Sequence, residues 1–163
     1  MSTGRSDRIE SLKIVGWIRT PFKAAEEIPI QGTANDAKGV IELLDLYAEA
    51  LTDLDGFDRV WLIYHAKSAG PAKPKIVPRL DKTARGVFAT RSLSRPNPIG
   101  LTCVRLIRVE GATVHVEGVD MLDGTPLLDL KPYVPRYDAF PDAWSGWLEN
   151  RIPHQQAWRD DTT

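Results

Sequence analysis

The sequence predicts a mainly β fold, a single-domain small β-barrel with one or two peripheral helices. Three observations lead there. About seven short runs rich in β-branched and aromatic residues are separated by glycine, proline, asparagine and aspartate, the pattern of strands joined by turns. Only two stretches carry apolar residues at helical spacing. A chain of 163 residues suits one domain with its own core. That many short strands need their edges managed, and closure into a barrel does so.

The elements follow in order. Residues 1–11 are polar and read as a loose tail ahead of a barrel domain over 12–138. Residues 12–19 (LKIVGWIR) form the first strand, ended by Thr20-Pro21. Residues 24–38 show no period and hold Pro29, Gly32, Asn35 and Asp36, which predicts a long loop. Its Ile28-Pro29-Ile30-Gln31 segment is too apolar for free solvation. Residues 39–44 form a strand. Leu46, Tyr47, Ala50, Leu51 and Leu54 then recur at helical spacing and predict an amphipathic helix over 45–53, stopped by Gly56. Residues 59–64 (RVWLIY) read as a central strand with His65-Ala66-Lys67-Ser68 as its exit. Residues 69–78 are rich in proline and lysine and lead into an edge strand, since proline cannot donate to a ladder. Residues 86–91 and 101–109 are strands flanking a turn, and Gly111-Ala112 makes a hairpin to 113–119. Residues 120–126 form a second polar turn and 127–130 a last strand. Pro141-Asp142 starts a final helix in a C-terminal helical extension over 139–163, with Trp144, Trp147 and Leu148 as one apolar stripe.

The chain is organised around residues 86–101 (GVFATRSLSRPNPIGL). Pro96 and Pro98 fix their own φ and push Arg95 and Asn97 towards extended geometry. Two arginines and an asparagine therefore project from a stiff loop, and sites are built on such loops. From spacing alone, a tight hairpin with solvated arginines fits equally well.

Net charge is -1, which gives no global case for nucleic acid or an anionic membrane. The local balance differs. Lys73, Lys75, Arg79, Lys82, Arg85, Arg91 and Arg95 stand against Asp81 alone, as a polyanion-facing edge or a solvated strand pair would. The single Cys103 excludes an internal disulfide and fits a reducing, cytoplasmic setting; in an apolar strand it reads as a packed thiol. No signal peptide or membrane span is expected. P-loop, G-x-G-x-x-G, H-E-x-x-H, C-x-x-C and G-x-S-x-G motifs are absent, and His65, His115 and His154 are dispersed, so no metal site is expected. What remains is a set of polar strand ends that a small barrel can bring to one rim.

Four blocks, GVFATRS, RPNPIGL, LDGTP and DLKPYVP, resemble in order and spacing the TsaA-like family of TrmO-type tRNA methyltransferases. RTPFK and LDGFDRVWLIYH extend the resemblance upstream, so it runs from about Val15 to Tyr137. The resemblance implies a barrel that binds S-adenosyl-L-methionine without a Rossmann domain, and a homodimer with the cofactor near the subunit interface. It implies N6-methylation of threonylcarbamoyl-adenosine beside the tRNA anticodon. It also implies a short form lacking the second, C-terminal domain of longer members.

Carried over position by position, the family's Pro-Arg-Gln cofactor contact matches Pro29-Ile30-Gln31, with Ile30 in place of the arginine. Arg91 matches the arginine that pairs with the methionine carboxylate, and Leu101 lines the pocket. Leu122-Asp123-Gly124-Thr125 matches the turn whose backbone holds adenine or ribose. Lys67, followed by Ser68, stands where the family carries a histidine, exchanging a switchable base for a point cation. For the chemistry, Asp120 and Asp123 are the candidate proton acceptors and Asn97 the group that orients the nucleobase. Arg95, Lys73, Lys75 and Arg79 would face RNA phosphates. Two alternatives stay open: a methyltransferase on a small-molecule acceptor, and a non-catalytic barrel that binds cofactor or RNA.

Overall fold

The computed structural model describes residues 11–29 and 35–151. Six strands close into a barrel: β1 (Gly16–Arg19), β2 (Lys38–Leu43), β3 (Arg59–His65), β6 (Ile99–Glu110), β7 (Thr113–Glu117) and β8 (Thr125–Pro132). Their order around the barrel is β1-β2-β7-β6-β3-β8, with every neighbouring pair antiparallel and β8 returning to β1. The expected mainly β, closed architecture is the one found. The two-residue strands β4 (Lys75–Ile76) and β5 (Arg85–Gly86) form a separate ribbon outside the barrel.

Alternation decides what fills the interior. Val60, Leu62 and Tyr64 of β3 point inward, as do Gly100, Thr102 and Val104 of β6 and Val114 and Val116 of β7. Ile18, Ile41 and Leu127 complete the layer, and Val119 and Met121 pack in from the β7–β8 connection. Each fully buried aliphatic side chain contributes about 1.5–3 kcal/mol. Leu51 and Leu54 join this core from short 3-10 segments.

Four expectations change. The helix over 45–53 is a 3-10 helix, Asp45–Leu51, and Asp53 just beyond it has φ 66°, which ends regular winding. Its apolar spacing suits either helix type; the tighter turn suits a segment this short. Residues 86–91 do not continue as a strand. Gly86 closes β5, and Val87–Ala89 make one 3-10 turn in which Thr90 Oγ1 donates to the Val87 carbonyl at 2.8 Å. The loop over 24–38 carries a 3-10 turn at Ala25–Glu27. In the C-terminal region, only a 3-10 turn at Gly146–Leu148 stands, among the described residues, where one helix is expected from Pro141, and the four-residue α1 (Pro135–Asp138) precedes it. Gly146 has φ 60°, a left-handed conformation that breaks an α-helix, so Trp144 is exposed while Trp147 turns inward.

Among the described residues no helix is long and apolar enough to cross a membrane, and no cluster of His, Cys, Asp and Glu has the make-up of a metal site.

Candidate functional site

The polar strand ends converge where β3 leaves the barrel and β6 enters it. A cavity of about 440 Å³ there is lined by inward-facing Tyr64 and Gly100, outward-facing Trp61, Ile99 and Leu101, and Pro29, Arg91, Arg95 and Asp120 from the loops. That volume lies within the range of small-molecule sites. Two devices shape it. The β3–β8 register shifts between Ile63 and Tyr64, and a bulge re-aims the side chain beside it. The Tyr64 ring then lies on the Gly100 backbone, so that a Cβ at Gly100 would fall inside the ring.

A chain of hydrogen bonds runs from the core to the cavity. The Thr102 hydroxyl donates to Asp120 Oδ1 at 2.6 Å, and the Tyr64 hydroxyl lies 3.4 Å from Thr102 Oγ1. Thr102 has one proton and gives it to the carboxylate, so Tyr64 is the donor in the second contact. Burial raises the Asp120 carboxyl above the usual carboxylate range, opposed by the Thr102 hydrogen bond and the Arg91 charge. Burial, with Asp120 nearby, also pushes Tyr64 up to about 12. The site therefore holds a neutral phenol that donates to Thr102 and a carboxylate inclined to take a proton.

Arg91 is exposed, and its Nη2 donates to the Leu101 carbonyl at 2.9 Å, across the loop from 91 to 101. Arg95 is fixed from the other side, its Nη1 donating to the Thr90 and Ser92 carbonyls at 3.1 and 3.2 Å. The loop is tied back to β3's exit, where the Pro98 carbonyl accepts from Ala66 N at 2.8 Å.

Of the residues singled out in the sequence, the cavity thus gathers Pro29, Arg91, Arg95, Leu101 and Asp120. Ile30 and Gln31 lie outside the described residues, directly after Pro29. Asn97, Lys67 and Ser68 are exposed and not part of the lining. Leu122, Asp123, Gly124 and Thr125 form a turn tied to β1: Gly124 N donates to the Ile18 carbonyl, and Asp123 accepts from Thr20 N at 3.0 Å and Lys23 Nζ at 2.5 Å. The Lys23 hydrogen bond and then the Thr20 amide hold the Asp123 carboxyl below its usual range, so Asp120 is the better proton acceptor of the two. Cys103 is half-buried, and burial pushes its thiol up. Sequence reasoning missed Tyr64, Thr102 and Trp61. For Tyr64 and Thr102 the available signal is a hydroxyl at inward-facing positions of two otherwise apolar strands; Trp61, facing outward, has no such signal.

The basic run divides. Arg85 pairs with Asp81 at 2.7 Å and stacks on Trp147, and Arg151 joins Asp81 at 3.0 Å. Lys73, Lys75, Arg79 and Lys82 are exposed and form no ion pair among the described residues.

Comparison with known proteins identifies the family of the fold. The sequence model of the tRNA-methyltransferase O N-terminal domain matches residues 17–139. A probable S-adenosyl-L-methionine-binding protein of Pyrococcus abyssi is 41% identical over 148 residues, covering 90% of this chain and 80% of that one. The tRNA (adenine(37)-N6)-methyltransferase of Escherichia coli is 37% identical over 147 residues, covering 83% of this chain and 63% of the enzyme. The crystal structure of TrmO from Pseudomonas aeruginosa superposes with TM-score 0.72 at 39% identity, covering 86% of this chain and 63% of that one. The chain thus spans just under two thirds of both these larger proteins, and the part it spans is the barrel. With a domain match across the six barrel strands and relatives above one third identity, the chain belongs to the tRNA-methyltransferase O N-terminal domain family.

Proposed function

We propose that the protein is an S-adenosyl-L-methionine-dependent methyltransferase acting on N6 of the adenine beside the tRNA anticodon, in the cytoplasm. The observation that carries this reading is the juxtaposition, in one cavity, of an exposed guanidinium (Arg91), an apolar wall (Trp61, Ile99, Leu101) and a half-buried carboxylate of raised pKa (Asp120). These groups suit the cofactor part by part. Arg91 fits its carboxylate, the wall fits its adenine, and Asp120 favours its cationic centre. Pro29, and Ile30-Gln31 after it, would border the same ligand, and the Leu122–Thr125 turn would supply backbone contacts.

When bound, the cofactor supplies an activated methyl group on a sulfonium. The protein aligns the acceptor and removes its proton. Arg91 would hold the cofactor carboxylate, and Arg95 lines the same cavity. Asp120 accepts the N6 proton. Thr102 takes one lone pair of that carboxylate, which leaves it capacity for another proton. An acceptor bearing a threonylcarbamoyl group suits this arrangement. Its N6–H belongs to a urea, is more acidic than that of a plain exocyclic amine, and yields to a single carboxylate. Lys73, Lys75 and Arg79 would meet anticodon-stem phosphates, Asn97 and the Lys67-Ser68 exit would border the acceptor, and a homodimer would cover the exposed Ile99 and Leu101 edge.

Incubation with labelled S-adenosyl-L-methionine and tRNA, with and without the threonylcarbamoyl modification, tests the reading. Mass spectrometry should find N6-methylated threonylcarbamoyl-adenosine only with the modified tRNA. Cofactor binding without transfer to any tRNA would refute the tRNA assignment and favour a small-molecule acceptor, which exposed Lys67 in place of a histidine would suit.

A further inference from the structure

The exposed aromatic next to the candidate site has no part in the chemistry above. Phe88 stands on the single 3-10 turn Val87–Ala89 and is 78% exposed, although aromatic rings bury large areas where they can. The turn itself is anchored. Val87 is buried, Val87 N donates to the Pro74 carbonyl at 3.0 Å, and Trp147 Nε1 donates to the Ala89 carbonyl at 2.7 Å. The ring is thus held out on a rigid support. The Arg95 guanidinium, fixed by two carbonyls, lies 5.8 Å from the ring centroid, and Arg95 also lines the reaction cavity. Beside the ring runs a mostly apolar groove of about 440 Å³ walled by Lys73, Pro74, Val87, Ala89 and Pro96.

We infer that Phe88, with Arg95 fixed beside it, is a stacking platform for an unpaired nucleobase adjoining the base methylated in the cavity. The inference rests on the tRNA reading and assigns a residue to it. Three features select the occupant. A flat, exposed ring takes any base by its π-face, and stacking on aromatic side chains is the common way proteins hold single-stranded RNA. Unpaired Lys73 borders the groove, Lys75 pairs with Gly86 two residues before Phe88, and the nearby acid, Asp81, is already neutralised by Arg85 and Arg151. This face therefore attracts phosphates, whereas a second copy of the same face would bring like charges together. Arg95 bridges ring and cavity, so a base on Phe88 lies one step from a base in the cavity.

The test uses the full chain and a fluorescein-labelled anticodon stem-loop RNA, followed by anisotropy at moderate salt. Phe88→Ala and Phe88→Leu should each weaken binding by about tenfold or more, Phe88→Trp should keep it, and calorimetric binding of S-adenosyl-L-methionine should be unchanged in all three. RNA with an abasic residue on either side of the target base should bind wild type more weakly at one of the two positions, and Phe88→Ala should be insensitive there. Equal RNA affinity of wild type and Phe88→Ala would overturn the platform while leaving the tRNA reading intact. A change in oligomeric mass without a change in RNA affinity would overturn it in favour of a subunit contact. Failure of wild type to bind the RNA at all would remove both readings.

Discussion

The Thr102 hydroxyl and the Asp120 carboxylate are 2.6 Å apart, and this contact joins the barrel interior to the cavity lined by Arg91 and Asp120. The donor lies on an inward-facing strand position and the acceptor on the turn after β7, so the strand fixes how the carboxylate is presented. The relation has a consequence for pH. A donor to a carboxylate favours its ionised form, so removing Thr102 raises the Asp120 pKa further above the ordinary range. The other groups facing Asp120 are the Arg91 charge, which favours ionisation, and the neutral Tyr64 phenol. If Asp120 acts as base, the rate rises as pH climbs through its pKa. Thr102→Val should therefore move the acidic limb of the pH–rate profile to higher pH and cost about 1–3 kcal/mol of stability. Thr102→Ser should restore the limb. An unmoved limb in Thr102→Val would show that the contact is structural only.

Asp120→Asn keeps the shape and the acceptor for Thr102 but removes the base. Methyl transfer at saturating cofactor should fall about 10²–10⁴-fold, with cofactor binding weakened but not lost, as read by single-turnover assay and calorimetry. Stability moves the other way. Ionising a carboxylate whose pKa is raised by burial costs folding free energy, and the loss develops as pH rises from the ordinary carboxylate range through the raised value. At neutral pH the asparagine variant should therefore melt no lower than wild type, and a lower melting temperature would contradict the burial assignment.

Arg91→Ala should weaken S-adenosyl-L-methionine binding by about 10–100-fold, the worth of one hydrogen-bonded charge. Arg91→Lys should recover little, because an ammonium cannot bond the Leu101 carbonyl and a carboxylate with the same planar fork. Undiminished affinity in Arg91→Ala would place the cofactor elsewhere.

Gly100→Ala puts a methyl group into the Tyr64 ring. A loss of about 1–3 kcal/mol or more is expected in denaturant titration, together with a displaced ring and reduced transfer. Pairing it with Tyr64→Leu should return part of the stability but none of the activity lost with the phenol.

Much of this arrangement is legible in the sequence because barrel strands obey one rule. The alternation through Val60, Leu62 and Tyr64 sets both the strand and its inner face. The Pro96–Gly100 run declares a stiff loop, and that loop does place Arg91, Arg95 and Leu101 around one cavity. The failures share a cause. Val87-Phe88-Ala89 has strand-forming composition, yet β preference reflects packing on a sheet, and no partner strand runs beside it. The stripe of Trp144, Trp147 and Leu148 suggested a helix, but the left-handed Gly146 turns Trp147 alone onto Ala89 and Arg85. Thr102 was hidden for a different reason: its importance depends on Asp120, eighteen residues away, reaching the same point in space.

The β4–β5 ribbon shares no backbone ladder with the barrel. It is joined to the rest by a few carbonyl contacts and by the clasp of Trp147 and Arg151. A stretch attached in this way can change in length and sequence without disturbing the register of the six closed strands. The face proposed to meet RNA can therefore be rewritten while the chamber beneath it stays intact. On that proposal, grafting the 72–90 segment between relatives should change RNA affinity and leave the barrel fold unaltered.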